Sequence, residues 1–395
     1  MIRLHNTLTG RKEVFETLEP QHVRMYVCGV TVYDDCHLGH ARSALVFDIL
    51  RRFFQWQGYR VTYVRNFTDI DDKIIARGQR EGLAWQDIVA RYLASYDRDM
   101  GRLGIRPADI QPKATEHVAD IIHLIQRLLE RGHAYCQDGD VYFSIESFPA
   151  YGRLSKRKQE DLMAGARVEV DERKRSPMDF ALWKGVKPGE PSWESPWGQG
   201  RPGWHIECSA MSMRHLGETF DLHGGGMDLT FPHHENEIAQ SCAASGKEFA
   251  RYWVHNGFVQ VNQEKMSKSL GNFFTIREVF EHSGCSEAVT GEVLRYFLLT
   301  THYRTPLDFS DQSLKEAKRA VDSVYDVFVR LAECGTAKGA ADGVAQQACV
   351  EVEVAVREAL SDDLNTPTAL AQLQKLRNEV NKWMATGLSR AVGVQ

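Results

Sequence analysis

The chain has 395 residues, 43% of them hydrophobic and 26% charged, with a formal net charge of -5. That length allows two or three domains with a substantial core, and the composition excludes a collagen, a coiled coil or a disordered chain. The acidic balance excludes a protein that coats nucleic acid by bulk charge, while leaving room for a local basic surface.

The opening stretch MIRLHNTLTGRKEVFE lacks the apolar segment of a signal peptide, and no apolar run of roughly 18 residues follows it, so a soluble, cytoplasmic protein with no membrane partner is expected. Residues 24–30, RMYVCGV, are short, apolar and β-prone, and residues 43–59 carry apolar side chains at helical spacing. Residues 60–68 alternate like a strand, and DIDDKIIARGQREG returns to helix. This β-α-β-α series implies a parallel sheet with right-handed crossovers. Helical patterns continue through WQDIVARYLASYDRDMGRL and HVADIIHLIQRLLERG, and AYCQDGDVYFSI places Asp-Gly between two β-prone runs, as in a hairpin. From Tyr151 to Gly203 the basic and Pro/Gly/Trp-rich sequence reads as an insertion. Strand-like residues 253–261 resume the α/β series, and the chain is helical beyond Leu307, with Ala317, Val321, Val324, Phe328 and Leu331 on one face. The fold class expected is α/β: a Rossmann-like parallel-sheet catalytic domain with an inserted connective region, followed by an α-helical bundle. Boundaries are placed at 1–110 and 203–265 for the two halves of the sheet domain, 111–202 for the insertion, 266–308 for the segment that follows KMSKS, which the resemblance given below implies to be a stem-contact region, and 309–395 for the bundle.

Eight cysteines, at 28, 36, 136, 208, 242, 285, 334 and 349, show no CxxC spacing. They read as reduced thiols, most of them buried small hydrophobes.

The turn after the first long strand carries HLGH, residues 37–40. In an open α/β sheet, ligands bind beyond the carboxyl ends of the strands, where a helix N-terminus presents partial positive charge. Gly39 admits a flat base or sugar, and His37 and His40 can donate to phosphate oxygens, although two histidines at this point also suit a helix cap. A second motif, KMSKS at 265–269, sets Lys265 and Lys268 three residues apart, with Gly271 and Asn272 marking a loop. Gly224, Gly225 and Gly226 would let adenosine approach the backbone. HLGH and KMSKS in a chain of this alternation resemble the two signatures of class I aminoacyl-tRNA synthetases. Catalysis there is positioning plus neutralisation of charge on ATP phosphates, with Lys265 and Lys268 closing on the β- and γ-phosphates and Mg²⁺ accompanying the nucleotide.

Cys28 lies at the end of the first long strand, nine residues before His37, and a metal would need partners for it from elsewhere. GWHIECSAM (203–211) and HGGGMDLTFPHHENEIAQ (223–240) offer them. His233 and Glu237 share a helix face, but by spacing alone His234, His205 or Glu235 serve as well.

Taken together, MYVCGVTVYDDCHLGHARS, NFTDIDDKII, AGARVEVDERKRSPMDFALWK, GRPGWHIECSAM, DLHGGGMDLTFPHHENEIAQS and EKMSKSLGNFF resemble the cysteinyl-tRNA synthetase family over most of the chain. The resemblance implies one zinc ion held by Cys28, Cys208, His233 and Glu237, with His234 as a neighbour. It also implies Thr31, Trp204 and Asp228 beside the amino acid, and L-cysteine, ATP and tRNA(Cys) as substrates of a monomer. Zinc would select the thiol of cysteine against the hydroxyl of serine, a distinction packing makes only weakly. The family continues into an anticodon-contacting domain, whereas this sequence ends at Gln395, soon after DDLNTP and one amphipathic helix. The basic stretches at 155–158 and 172–175 are candidates for tRNA phosphate contact. A second reading keeps the adenylate but passes cysteine to a glucosaminyl-inositol amine in mycothiol synthesis. A third is a catalytically silent zinc- or RNA-binding homologue, which the intact His37, His40, Lys265 and Lys268 argue against.

Overall fold

Strands β1 (Arg3–Asn6) and β2 (Arg11–Val14) pair as an antiparallel hairpin ahead of β3 (His22–Thr31), which leads into helix α1 (Leu38–Trp56) and strand β4 (Arg60–Thr68). This computed structural model describes residues 1–157, 173–261, 264–265, 274–335, 337 and 339–393. Side chains of β3 alternate between two cores. Val23, Met25 and Val27 pack with Val46, Phe47, Leu50 and Phe54 of α1. Tyr26 and Cys28 point the other way, among Cys208, Phe220, Phe249 and Trp253. A strand buried on both faces reads as a continuous apolar run, which is why residues 24–30 announce it.

After β4 come α2 (Asp72–Glu81), α3 (Trp85–Arg102) and α4 (Val118–Glu130). Asp71 caps α2 through the backbone N–H of Lys73 at 2.9 Å, and Gly82, left-handed at φ 66°, ends it. The hairpin expected around Asp-Gly is β5 (Ala134–Gln137) and β6 (Asp140–Phe143), with Asp138 and Gly139 at φ 51° and 84°, as a two-residue turn requires. Strands β7 (Phe180–Gly185) and β8 (Gly200–Pro202) extend it to a four-stranded antiparallel sheet, whose Phe143, Phe180, Leu182 and Trp183 pack with Ile121, Ile125 and Leu128 of α4. In chain order this small sheet falls between the two halves of the parallel one, which themselves pair directly through β3 and β9.

The second half contributes α5 (Trp204–Leu216), β9 (Phe220–Gly226), α6 (Glu235–Ser245) and β10 (Ala250–Asn256). The parallel sheet has the order β10-β9-β3-β4. The expected strand over 253–261 is two strands: β10 ends at Asn256, and β11 (Val259–Val261) belongs to another sheet, β12-β11-β13, with β12 (Glu264–Lys265) and β13 (Leu307–Phe309). The break falls at Gly257, where a Cβ would come within 2.7 Å of the Arg304 carbonyl oxygen.

Helices α7 (Ile276–His282) and α8 (Glu287–Leu299) precede β13, and α9 (Asp311–Glu333), α10 (Asp342–Ser361) and α11 (Thr366–Thr386) form the helical region. The buried face of α9 differs from the expected one: Val327 is inside and Phe328 is 56% exposed. The reason is a change of partner along the helix. Ala317 and Val321 join the core that includes α8, whereas Val327 and Leu331 pack with Ala345 and Leu388. Among the described residues no helix is long and apolar enough to cross a membrane. All eight cysteines are free, as expected, but only Cys28, Cys36 and Cys208 are buried, so the reading of most as core residues does not hold.

Candidate active site and metal centre

The HLGH turn is a helix cap as well as a cavity wall. His37 is the residue before α1, and its Nδ1 accepts from the Gly39 N–H at 3.0 Å. The His40 Nδ1 accepts from the His37 N–H at 3.3 Å, and the two rings stack with centroids 3.7 Å apart. Because both Nδ1 atoms accept, the neutral rings carry their protons on Nε2, which fixes the donor edge of each histidine. A Cβ on Gly39 would lie 2.8 Å from the His37 ring, so glycine here is what lets the cap close.

Beyond the strand ends lies a cavity of about 820 Å³, lined by His37, Gly39 and His40 and by Thr31, Trp204 and Asp228, the residues expected beside phosphate and amino acid. Gly226 lines it too. Gly225 has a packing reason to be glycine, since a Cβ would approach the His234 ring to 2.8 Å. Lys265 pairs with Gln260 through the backbone of β12; Lys268 lies outside the described residues. The cavity wall includes Arg65, Lys73 and Asn256, which the sequence reading did not single out.

One ligand atom from each of Cys28, Cys208, His233 and Glu237 lies within 4.8 Å of the others, all four residues buried. Three elements, and the helical turn Thr230–His234 that carries His233 into α6, bring them there. Cys28 comes from β3 at a bulge: Val27 pairs with Arg65 and Val30 with Phe67, so two residues, Cys28 and Gly29, stand opposite Asn66 alone. A Cβ on Gly29 would fall 1.6 Å from the Asn66 carbonyl oxygen, so the residue after the cysteine must be glycine. Cys208 is on α5, and Glu237 on α6 one turn beyond His233.

A second group of four, Cys28, His223, His234 and Glu237, meets the same distance limit. The carboxylate of Glu237 divides the histidines: Oε1 is 3.3 Å from Cys28 Sγ and 3.1 Å from His233 Nε2, while Oε2 is 2.9 Å from His223 Nε2. His234 Nδ1 is 2.8 Å from His255 Nε2, and His255 Nδ1 is 2.8 Å from the Thr7 hydroxyl. His233 Nδ1 meets His205 Nδ1 at 2.9 Å, and the Trp204 ring stacks on His233 at 4.3 Å. Ligating histidines and carboxylates are held in this way by hydrogen bonds at their far atoms. Thus His205, an alternative by spacing, stands behind His233, whereas His234 has its far nitrogen held by His255 and its Nε2 3.9 Å from Glu237 Oε1, beside the same group. His223 and His255 went unnoticed in the sequence, where a histidine inside each of the apolar strands FDLHGGG and ARYWVHN was the available signal.

Burial brings the His233 pKa down to about 3, so its imidazole is neutral and offers a lone pair. Burial also pushes the Cys28 thiol well up, reinforced by Cys208 and Glu237. For Glu237 burial acts upward too, but His223 and His233 outweigh it and hold the carboxyl below its usual range. Two thiols, a neutral imidazole and a carboxylate in a closed site form a donor set that fits a metal of zinc's preferences.

The model of the tRNA synthetases class I (C) catalytic domain matches residues 14–319, and that of the DALR domain matches residues 355–392. The cysteine--tRNA ligase of Geobacter sulfurreducens is 58% identical over 396 residues, covering 99% of this chain and 81% of the relative. The chain belongs to the cysteine--tRNA ligase family of class I synthetases. The cysteine--tRNA ligase of Geobacter metallireducens is likewise 58% identical, over 98% of this chain and 79% of its own length. Mycobacterium tuberculosis methionyl-tRNA synthetase in complex with methionyl-adenylate superposes with a TM-score of 0.67 at 17% identity, covering 92% of this chain and 83% of that one, which shows a shared fold.

Of the basic stretches offered for tRNA, Lys156, Arg157, Arg173 and Arg175 have partners within the chain. Lys156 donates to the Arg153 carbonyl at 2.9 Å, Arg173 to Asp140 at 2.6 Å, and Arg157 and Arg175 lie over the rings of Phe231 and Tyr135. Lys158 and Glu172 lie outside the described residues.

Proposed function

We propose that this chain activates L-cysteine with ATP and transfers it to the terminal adenosine of tRNA(Cys). The observation that carries the reading is that the cavity lined by the HLGH helix N-terminus is also lined by Cys28, whose thiol gathers with Cys208, His233 and Glu237. In the first step the cysteine carboxylate attacks the α-phosphate and pyrophosphate leaves. In the second a ribose hydroxyl of the tRNA attacks the acyl carbon and AMP leaves. His37 and His40 serve the first step by donating from Nε2 to the α-phosphate region, with the α1 N-terminus adding its partial positive charge. Lys265 and Lys268 neutralise the outer phosphates; Mg²⁺, when bound with the nucleotide, would add to that neutralisation. Thr31, Trp204 and Asp228 place the amino acid.

The four-residue group would hold zinc, which supplies a soft acceptor for the substrate thiolate that a serine hydroxyl matches poorly. The ligand residues hold their positions through His205 and His223, and Trp204 covers the His233 ring against water. The names carried by the relatives support tRNA, and not a glucosaminyl-inositol amine, as the acceptor. The test is pyrophosphate exchange by zinc-replete protein, with cysteine and with serine. Exchange that needs cysteine supports the reading; equal exchange with serine, or none with either, defeats it.

A further inference from the structure

Arg42 sits in the first turns of α1, just behind the two histidines, and is wholly buried. Its guanidinium donates to four backbone carbonyls. One nitrogen reaches Gly257 at 3.0 Å and Phe258 at 2.7 Å; the other reaches His302 at 3.1 Å and Thr305 at 2.6 Å. Burial lowers its pKa only to about 10, so it remains a cation at neutral pH. Burying a charge is costly, whereas an apolar side chain would fill the space without that cost. What the planar cation adds is directional: its donors leave at fixed angles and set the carbonyls relative to one another.

Those carbonyls belong to two segments that bear on the cavity. Residues 256–259 form the wall facing Gly39, His40 and Ser43. The turn at 302–305 backs that wall, with the Gly257 N–H donating to the Tyr303 carbonyl at 2.8 Å and the Leu307 N–H to the Phe258 carbonyl at 2.9 Å. The far side of the turn is gripped by Asp363 of the DDLNTP motif, at the junction of α10 and α11. Asp363 has no exposure and a left-handed φ of 64°. Its carboxylate accepts from the Tyr303 hydroxyl at 2.7 Å, from Arg304 at 2.9 and 2.8 Å, and from the His5 N–H at 2.8 Å. His302 lies 3.7 Å from the same carboxylate.

We propose that Arg42 and Asp363 are positioning residues for ATP: Arg42 fixes the 256–259 wall against the HLGH helix, and Asp363 fixes the 302–305 turn behind that wall. Neither touches substrate. The proposal rests on the adenylating reading above and gives the DDLNTP motif a task in the first half-reaction. Neither clamp contacts Cys28, Cys208, His233 or Glu237; both bear on the wall that faces the HLGH helix.

The experiment is pyrophosphate exchange with Arg42→Met, Arg42→Lys and Asp363→Asn in the full chain, reading KM for ATP and for cysteine separately, with zinc content and melting temperature alongside. Arg42→Met is expected to raise KM for ATP about tenfold or more, because charge-assisted hydrogen bonds to the wall are lost. Arg42→Lys recovers part of that, and Asp363→Asn raises KM for ATP by a smaller factor. KM for cysteine and zinc content stay within about twofold of the parent. A merely structural role would lower the melting temperature without splitting the two KM values, and that result overturns the proposal. If Arg42→Met does not fold, Arg42→Lys and Asp363→Asn decide on the same criterion. No cysteine-dependent exchange by the parent chain defeats the ligase reading and this proposal together; exchange by the parent with an unsplit KM pair defeats the proposal alone.

Discussion

His223 Nε2 holds Glu237 Oε2 at 2.9 Å, leaving Oε1 to face Cys28 and His233. One carboxylate therefore joins the metal-capable group to the histidine behind it. Losing a partner of this kind commonly costs 10–100-fold in metal affinity, so His223→Ala is expected to weaken zinc binding by about that factor in a chelator competition. His223→Gln, which keeps a donor, recovers part of it. Equal affinity in all three proteins would show that His223 does not support Glu237.

Removing a ligand is more severe than removing its support. Cys208→Ala is expected to lose most bound zinc, read by metal analysis of the purified protein. Full occupancy would take Cys208 out of the ligand set.

Gly29 makes the bulge that turns Cys28 into the site, and the Asn66 carbonyl fills the space a side chain would need. Gly29→Ala is expected to cost about 1–3 kcal/mol in denaturant unfolding, as overpacking does, and to lower zinc occupancy. Unchanged stability with full zinc would mean that the bulge does not set the position of Cys28.

His37 has two tasks that substitutions can separate. Asparagine is a good N-cap and alanine a poor one, so His37→Ala loses about 1 kcal/mol of stability and His37→Asn much less. Neither replacement carries a donor in the place of Nε2, so both are expected to cut pyrophosphate exchange about 100-fold or more. Exchange that follows stability, falling in His37→Ala alone, would reduce His37 to a cap.

The KMSKS motif points to Lys268. Lys268→Ala is expected to slow adenylate formation by orders of magnitude while cysteine binding, followed by equilibrium dialysis, stays nearly unchanged. A normal exchange rate would remove Lys268 from the assignment.

The parts of the fold legible in the sequence were those ruled by local periodicity or by one turn. The β3-α1-β4 series and the Asp138-Gly139 hairpin belong here, because their patterns depend on neighbouring residues. The split at Gly257 was hidden, since residues 253–261 look β-prone throughout and the close approach of the 302–305 turn is a tertiary fact. Phe328 misled for a similar reason: α9 changes packing partner midway, and a single helical face cannot describe it. In the site, the four ligand candidates came from a family resemblance that spacing alone left open, and the structure brings them together. His223 and His255 escaped because each is a lone histidine in a buried strand, and only the fold sets them beside Glu237 and His234.

Activation of cysteine and its delivery to tRNA can be followed in one assay. Incubating the protein with zinc, radiolabelled cysteine, ATP, Mg²⁺ and total tRNA, then scoring acid-precipitable label, tests them most directly. Label is expected on tRNA, released by mild base as an ester and absent when cysteine is replaced by serine. No label on tRNA, with cysteine-dependent pyrophosphate exchange intact, would contradict the assignment of tRNA as the acceptor.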